Sequence, residues 1–270
     1  MFITIPALKD GPIENEILNL NSLLAFSQTP LKQRKMTADD ILAELRKYGD
    51  PQTKKTLMRH GAREPFFGVK VADLKKILKK TKKNHELSLE LFKTGNSDAM
   101  YLAGLMADEK KITEAQLDEW VGMAYWSYLN EFAVPWVAAE TDFGFGLGLK
   151  WIESAEELIA SAGWATLAYY AAVNEDQKLD IEAYSRLLDR VEKEIHQAPN
   201  RLRYVMNGFI IAVGTYICAL TDKSLQIAAS TGKIEVEMNG TACKVPLATD
   251  YIKKAIEKGQ SGKKRKTARC

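Results

Sequence analysis

The chain has 270 residues, 46% hydrophobic and 27% charged. That composition suits a globular protein of one or two domains and excludes a disordered or low-complexity polymer. The formal net charge is only +3, too small to name a partner, so where the charge lies matters more than its sum.

Glycine and proline number only 17 and 8, which favours helices over turn-rich β architecture. Cys218, Cys243 and Cys270 are widely spaced and odd in number. They form neither a metal motif nor a disulfide framework, so the expectation is a reducing, cytoplasmic setting with no metal and no cofactor. Residues 1–36 show no sustained helical period and lack the charged start and continuous apolar core of a signal peptide. They read as an irregular N-terminal extension, with Met36 as an alternative start. Thr37 to Asp40 then resembles a capping box with Asp in place of Glu.

Ile41, Leu42, Leu45 and Tyr48 predict a first helix, ended by Gly49-Asp50-Pro51. A second is predicted over 52–60 and is closed by Gly61. Pro65 and Gly68 break the next stretch into a loop. Val71, Leu74, Ile77 and Leu78 then form one apolar face. The other sides carry Lys75, Lys76, Lys79, Lys80, Lys82 and Lys83. That face is either simply solvated or a phosphate-binding surface, because like charges this dense repel unless an anion neutralises them. Helices are predicted around 87–93 and 97–107, the latter with Ser97 as N-cap.

Gln116 to Asp142 holds Trp120, Trp126 and Trp136, three of the five tryptophans. Such density marks a core junction or a surface for stacking on flat ligands, and the helical spacing favours the core. A helix is predicted over 131–140. The glycine-spaced piece 143–148 has neither the preceding strand nor the following Lys-Ser/Thr of a phosphate loop. Further helices are predicted over 154–173, 181–196, 200–220 and 221–230. Gly208 to Leu220 is the most apolar run, but it is too short to span a bilayer.

The spacing gives helix pairs of roughly 35–45 residues, as in an all-α HEAT-like solenoid, an α-α superhelix. One exception is expected. Lys233 to Met238 alternates as a strand, Asn239-Gly240 is a hairpin turn signal, and 241–245 could return, which predicts a small C-terminal β-hairpin. A last helix over 251–258 precedes a basic tail, 259–270, expected to be mobile.

Four segments carry a resemblance. They are Arg63-Glu-Pro-Phe-Phe-Gly-Val69 ahead of its helix, Met206 to Val213, Met238 to Pro246, and the Lys-rich end from Gly262 to Cys270. They resemble the HEAT-like DNA alkylation repair family of alkylpurine DNA glycosylases, all-α solenoids. The resemblance implies that residues 37–258 form such a domain. It also implies a monomer whose partner is DNA, duplex and alkylated or distorted, with no membrane or metal involved.

The chemistry of that family is simple in outline. An N3- or N7-alkylated purine is already a cationic leaving group, so a carboxylate beside the sugar need only stabilise the developing oxocarbenium ion. Tryptophan faces supply a cation–π surface for the lesion. In the family a Trp precedes the catalytic Asp by four residues. Here Trp126 sits at the Trp position and Asn130, neutral, sits where the Asp belongs. Trp164 matches a later Trp, while Leu167 falls at an expected Arg and Ile211 near a further Trp. Glu131, Asp118, Glu119 and Asp142 are the carboxylates that could compensate. Phosphate contacts are expected from Lys75, Lys76, Lys79, Lys80, Lys263, Lys264, Arg265 and Lys266, with Arg63 and Arg203 as further candidates. Three readings stay open: a glycosylase with an altered acid, a binder of distorted or branched DNA, and a protein-binding scaffold.

Overall fold

Thr37 and Asp40 do cap each other. The Thr37 hydroxyl accepts from the Asp40 amide at 3.2 Å, and the Asp40 carboxylate accepts from the Thr37 amide at 3.0 Å. This opens α1, Ala38–Lys47. A computed structural model describes residues 36–240 and 243–270. The expected N-terminal extension lies outside them apart from Met36. Asp50 caps α2, Pro51–Arg59, through the Thr53 amide at 2.6 Å, with Pro51 in the first turn where its missing N–H costs nothing. There follow α3, Val71–Thr81; α4, His85–Lys93; α5, Ser97–Met106; and α6, Glu114–Met123. After a π-helical segment, Leu129–Ala133, come α7, Val134–Ala139; α8, Gly144–Trp151; and α9, Glu157–Val173. The rest are α10, Ile181–Glu194; α11, Asn200–Tyr216; α12, Thr221–Thr231; and α13, Ala248–Glu257. No single helix among the described residues is long and apolar enough to cross a membrane.

The core centres on α9. Its sequence is rich in Ala and contains Gly163, so neighbours can approach closely. A Cβ on Gly163 would lie 2.6 Å from the Ile152 amide, so only glycine allows that contact between α9 and the end of α8. α9 packs most extensively against α11 and α8.

The loop between α2 and α3 is organised by one buried carboxylate in the first turn of α5. Asp98 accepts from the amides of Phe67 at 2.6 Å, Gly68 at 3.0 Å and Val69 at 3.0 Å. Phe66 is thereby held in the core. Gly68 adopts φ 79° beside Lys54, where a Cβ would be 2.6 Å from the Lys54 backbone nitrogen.

Four expectations are corrected. Asn96, not Ser97, caps α5, through the Ala99 amide at 3.2 Å; Ser97 instead accepts a bond from Trp126. The helix expected over 131–140 is split, because Val134 donates to the Leu129 carbonyl five residues back and Pro135 has no N–H to give. The β-hairpin does not form among the described residues, where no strand is found. Its turn is right: Asn239 and Gly240 both have positive φ, 53° and 66°. The ladder is not: Asn200 of α11 takes both backbone groups of Glu237, in the first expected strand, at 2.7 and 2.9 Å.

The tail is also docked rather than loose. Lys264 donates to the carbonyls of Ala171 and Tyr216 at 3.0 and 2.8 Å, and the Arg265 amide donates to the Ala172 carbonyl at 2.7 Å. Arg269 reaches the carbonyls of Gly104 and Ala107 at 3.1 and 3.0 Å and pairs with Glu109 and Glu140. Its cations satisfy helix C-terminal carbonyls, which composition could not reveal.

Replacing Asp98 by Ala leaves three amides without their acceptor. We expect Asp98→Ala to cost about 3 kcal/mol or more in urea unfolding. A loss under about 1 kcal/mol would show that the loop holds itself.

Candidate functional site

Two helices face each other through small side chains. α9 presents Ala165, Ala168 and Ala172, and α11 presents Val205, Gly208 and Ala212, each at one-face spacing. The gap between them is a cavity of about 240 Å³. Nothing lies within 4 Å of where a Gly208 Cβ would sit. Phe132, Tyr169, Tyr204 and Tyr216 add partly exposed aromatic walls, and Arg265 stands at one side. The lining contains one carboxylate, Glu131.

Glu131 is buried and held by Arg201. The guanidinium donates from Nε to Oε1 at 2.8 Å and from Nη2 to Oε2, a bidentate pair. Arg201 is itself fixed: its amide donates to Glu157 at 2.6 Å, its Nη1 approaches Met238 Sδ at 3.7 Å, and its guanidinium lies 4.4 Å over the Tyr204 ring. Burial pushes the Glu131 carboxyl up to about 7, against the opposing pull of Arg201.

Asn130 is fully buried, and neither end of its amide has a hydrogen-bond partner among the described residues. It is not part of the cavity wall. Trp126 is 4% exposed, donates to the Ser97 hydroxyl at 2.8 Å and stacks on Tyr128 at 4.7 Å. From there rings run on in contact, Tyr128 to Phe132 at 5.5 Å, Phe132 to Trp136 at 5.6 Å and Trp136 to Tyr169 at 6.5 Å. The tryptophan-rich stretch is therefore mostly core, with Tyr128 and Phe132 left at its surface. Trp164 is buried against Phe209 of α11 at 5.0 Å and beneath Arg190 at 5.9 Å, outside the cavity lining. The structure thus does not bring Trp126, Asn130 and Trp164 together at the cavity.

The remaining expected residues are scattered. Leu167 is core, with its carbonyl bonded by Tyr184 at 2.9 Å. Asp118 pairs with Lys150 at 2.6 Å, Glu119 lies 3.9 Å from Lys93, and neither lines the cavity. Asp142 is exposed. Arg63 lies 4.6 Å over the Tyr125 ring. Arg203 lines a separate recess with Asn200 and residues 233–238 and has a buried, unpartnered Nε. On α3, Lys76 pairs with Asp73 at 2.7 Å and Lys80 with Glu44, while Lys75 and Lys79 are exposed and carry no ion pair among the described residues. Of the tail cations Lys264 is consumed, pairing with Asp176 at 2.8 Å, whereas Lys263, Arg265 and Lys266 are exposed. Sequence reading missed Arg201, Tyr169, Tyr204 and Tyr216. Their signal was the small-residue spacing on α9 and α11, which leaves room beside them.

Residues 41–223 match the model of a family described as DNA alkylation repair enzyme. An uncharacterized protein of Listeria innocua is 37% identical over 227 residues, covering 82% of this chain and 97% of the relative. An uncharacterized protein of Listeria monocytogenes matches to the same extent, at 37% identity over 227 residues. A solved structure superposes with a TM-score of 0.80 at 35% identity, covering 87% of this chain and all of its own. It represents a new family of proteins related to the HEAT-like repeat DNA glycosylases, with affinity for branched DNA structures. The match places this chain in the HEAT-like repeat architecture expected from the helix pairing.

Two stability measurements probe the site. Asn130→Leu removes an unsatisfied amide at nearly constant shape and should leave stability equal or raise it by about 1–3 kcal/mol. Asn130→Asp buries an unpaired carboxylate and should destabilise. If Asn130→Leu instead loses several kcal/mol, the amide has a partner. For Glu131 the folded value, near 7, exceeds the ordinary 4.5. The native state then holds the proton more tightly, so this contribution is full below about pH 4.5 and is lost as pH rises through about 7. Glu131→Gln should remove that slope from a series of urea curves; an unchanged slope would place the titration elsewhere.

Proposed function

The chain belongs to the DNA alkylation repair enzyme family, and from that premise we propose that it binds distorted or branched duplex DNA without excising cationic alkylpurines. The observation that carries this reading is the state of Asn130, at the expected acid position, and of its neighbour Glu131. Asn130 is neutral and enclosed, and Glu131 is neutralised by Arg201. Neither offers a free carboxylate to an oxocarbenium ion, the electrostatic contact on which this chemistry depends. Binding needs less. Exposed cations at Lys263, Arg265 and Lys266 supply phosphate attraction independent of sequence. The affinity of the structural relative for branched DNA supports the same preference here.

A second reading has one observation in its favour. Glu131 does line the cavity, so a weak glycosylase using that acid would need Arg201 to withdraw.

Both readings are tested together. Wild-type protein should shift a four-way branched DNA more strongly than a linear duplex, with affinity falling steeply between low and moderate salt. It should release no 3-methyladenine or 7-methylguanine above background from alkylated DNA. Rapid release abolished by Glu131→Gln would establish the second reading and end the first.

A further inference from the structure

Part of the lysine run on and after α3 is already neutralised. Lys76, Lys80 and Lys83 are each paired with a carboxylate, Asp73, Glu44 and Glu109. A second region gathers cations with no carboxylate among them. Where α11 and α13 end and the tail begins, Lys254, Lys258, Lys263 and Arg265 surround a recess of about 520 Å³ whose lining contains no carboxylate. All four are exposed. None makes an ion pair among the described residues; Arg265 has only a 3.4 Å bond to the Arg269 carbonyl.

The recess is built rather than incidental. Lys264 runs inward beneath it and fixes the wall through the Tyr216 carbonyl at 2.8 Å, and Gly262 donates to the Thr215 carbonyl at 2.8 Å. Lys254 and Lys258 stand four residues apart on one face, where like charges destabilise each other. The C-terminus of α13 offsets those two through its dipole but not Lys263 or Arg265, which lie beyond the helix. Tyr216 and Arg265 are shared with the apolar cavity between α9 and α11, so the two hollows adjoin.

We propose that this recess is a phosphate subsite for a nucleic-acid strand. Lys254, Lys258, Lys263 and Arg265 neutralise backbone phosphates there. Tyr216, on the shared wall, offers a flat face to the neighbouring sugar or base at the cavity mouth. The proposal rests on the DNA-binding reading above and adds where the strand lies: along the tail side of the molecule, not along α3.

The test uses the full chain and fluorescent branched and linear DNA, titrated by anisotropy at several salt concentrations. Lys254→Gln/Lys258→Gln is compared with Lys75→Gln/Lys79→Gln and with wild type. The recess pair should weaken binding about 10- to 100-fold and lower the slope of log affinity against log salt by about 2. The α3 pair should change affinity less than about threefold. All four lysines are exposed, so thermal unfolding monitored by circular dichroism should superpose on wild type. Lys254→Glu/Lys258→Glu should weaken binding further; if that reversal fails to fold, the Gln pair decides alone. Wild-type affinity and salt slope in the recess pair, beside a loss in the α3 pair, would overturn the proposal while leaving DNA binding intact. Failure of wild type to bind either DNA would overturn the functional reading, and this subsite with it.

Discussion

The pair between Glu131 and Arg201 is the constraint on which the candidate site depends. Removing two charges from water is costly, and the attraction between them compensates only when the geometry is good and other donors are satisfied. Here both carboxylate oxygens are met by one guanidinium. The bond joins residues 70 apart in the chain, the π-helical segment and the first turn of α11. It ties the π-helical segment to α11 beside the cavity between α9 and α11, and the one acid in that cavity's lining is matched by a fixed cation.

Asn130 keeps an ordinary helical bond to the Trp126 carbonyl, four residues back, at 3.2 Å, and both side chains are buried. The next residue, Glu131, lies at the cavity wall, and the π turn follows, closed by the Val134 amide on the Leu129 carbonyl. The stack of Trp126 on Tyr128, and the rings that continue to Tyr169, hold that arrangement by aromatic packing.

Charge obeys a similar logic. A run of lysines looks strongest in sequence, yet carboxylates from α1, from α3 itself and from the segment after α5 pair with several of them. The tail divides its cations between two roles. Lys264 and Arg269 satisfy carbonyls and carboxylates of the fold, while Lys263, Arg265 and Lys266 remain exposed. Docking of the tail therefore fixes the second group at defined positions.

Most of the helices, the cap at Thr37, the Asn239-Gly240 turn and the family were legible in the chain alone, because periodicity, capping chemistry and turn residues are local. Only the tertiary structure decided whether the strands flanking that turn would pair. Asn200, from α11, takes both backbone groups of Glu237, a competition between distant groups that no local pattern records. Tertiary structure likewise decided that Glu131 faces the cavity and that its charge is met by Arg201. It decided too which lysines are neutralised. Each of these outcomes depends on groups far apart in the chain, and the energy of a charge or a polar group is set by what finally surrounds it.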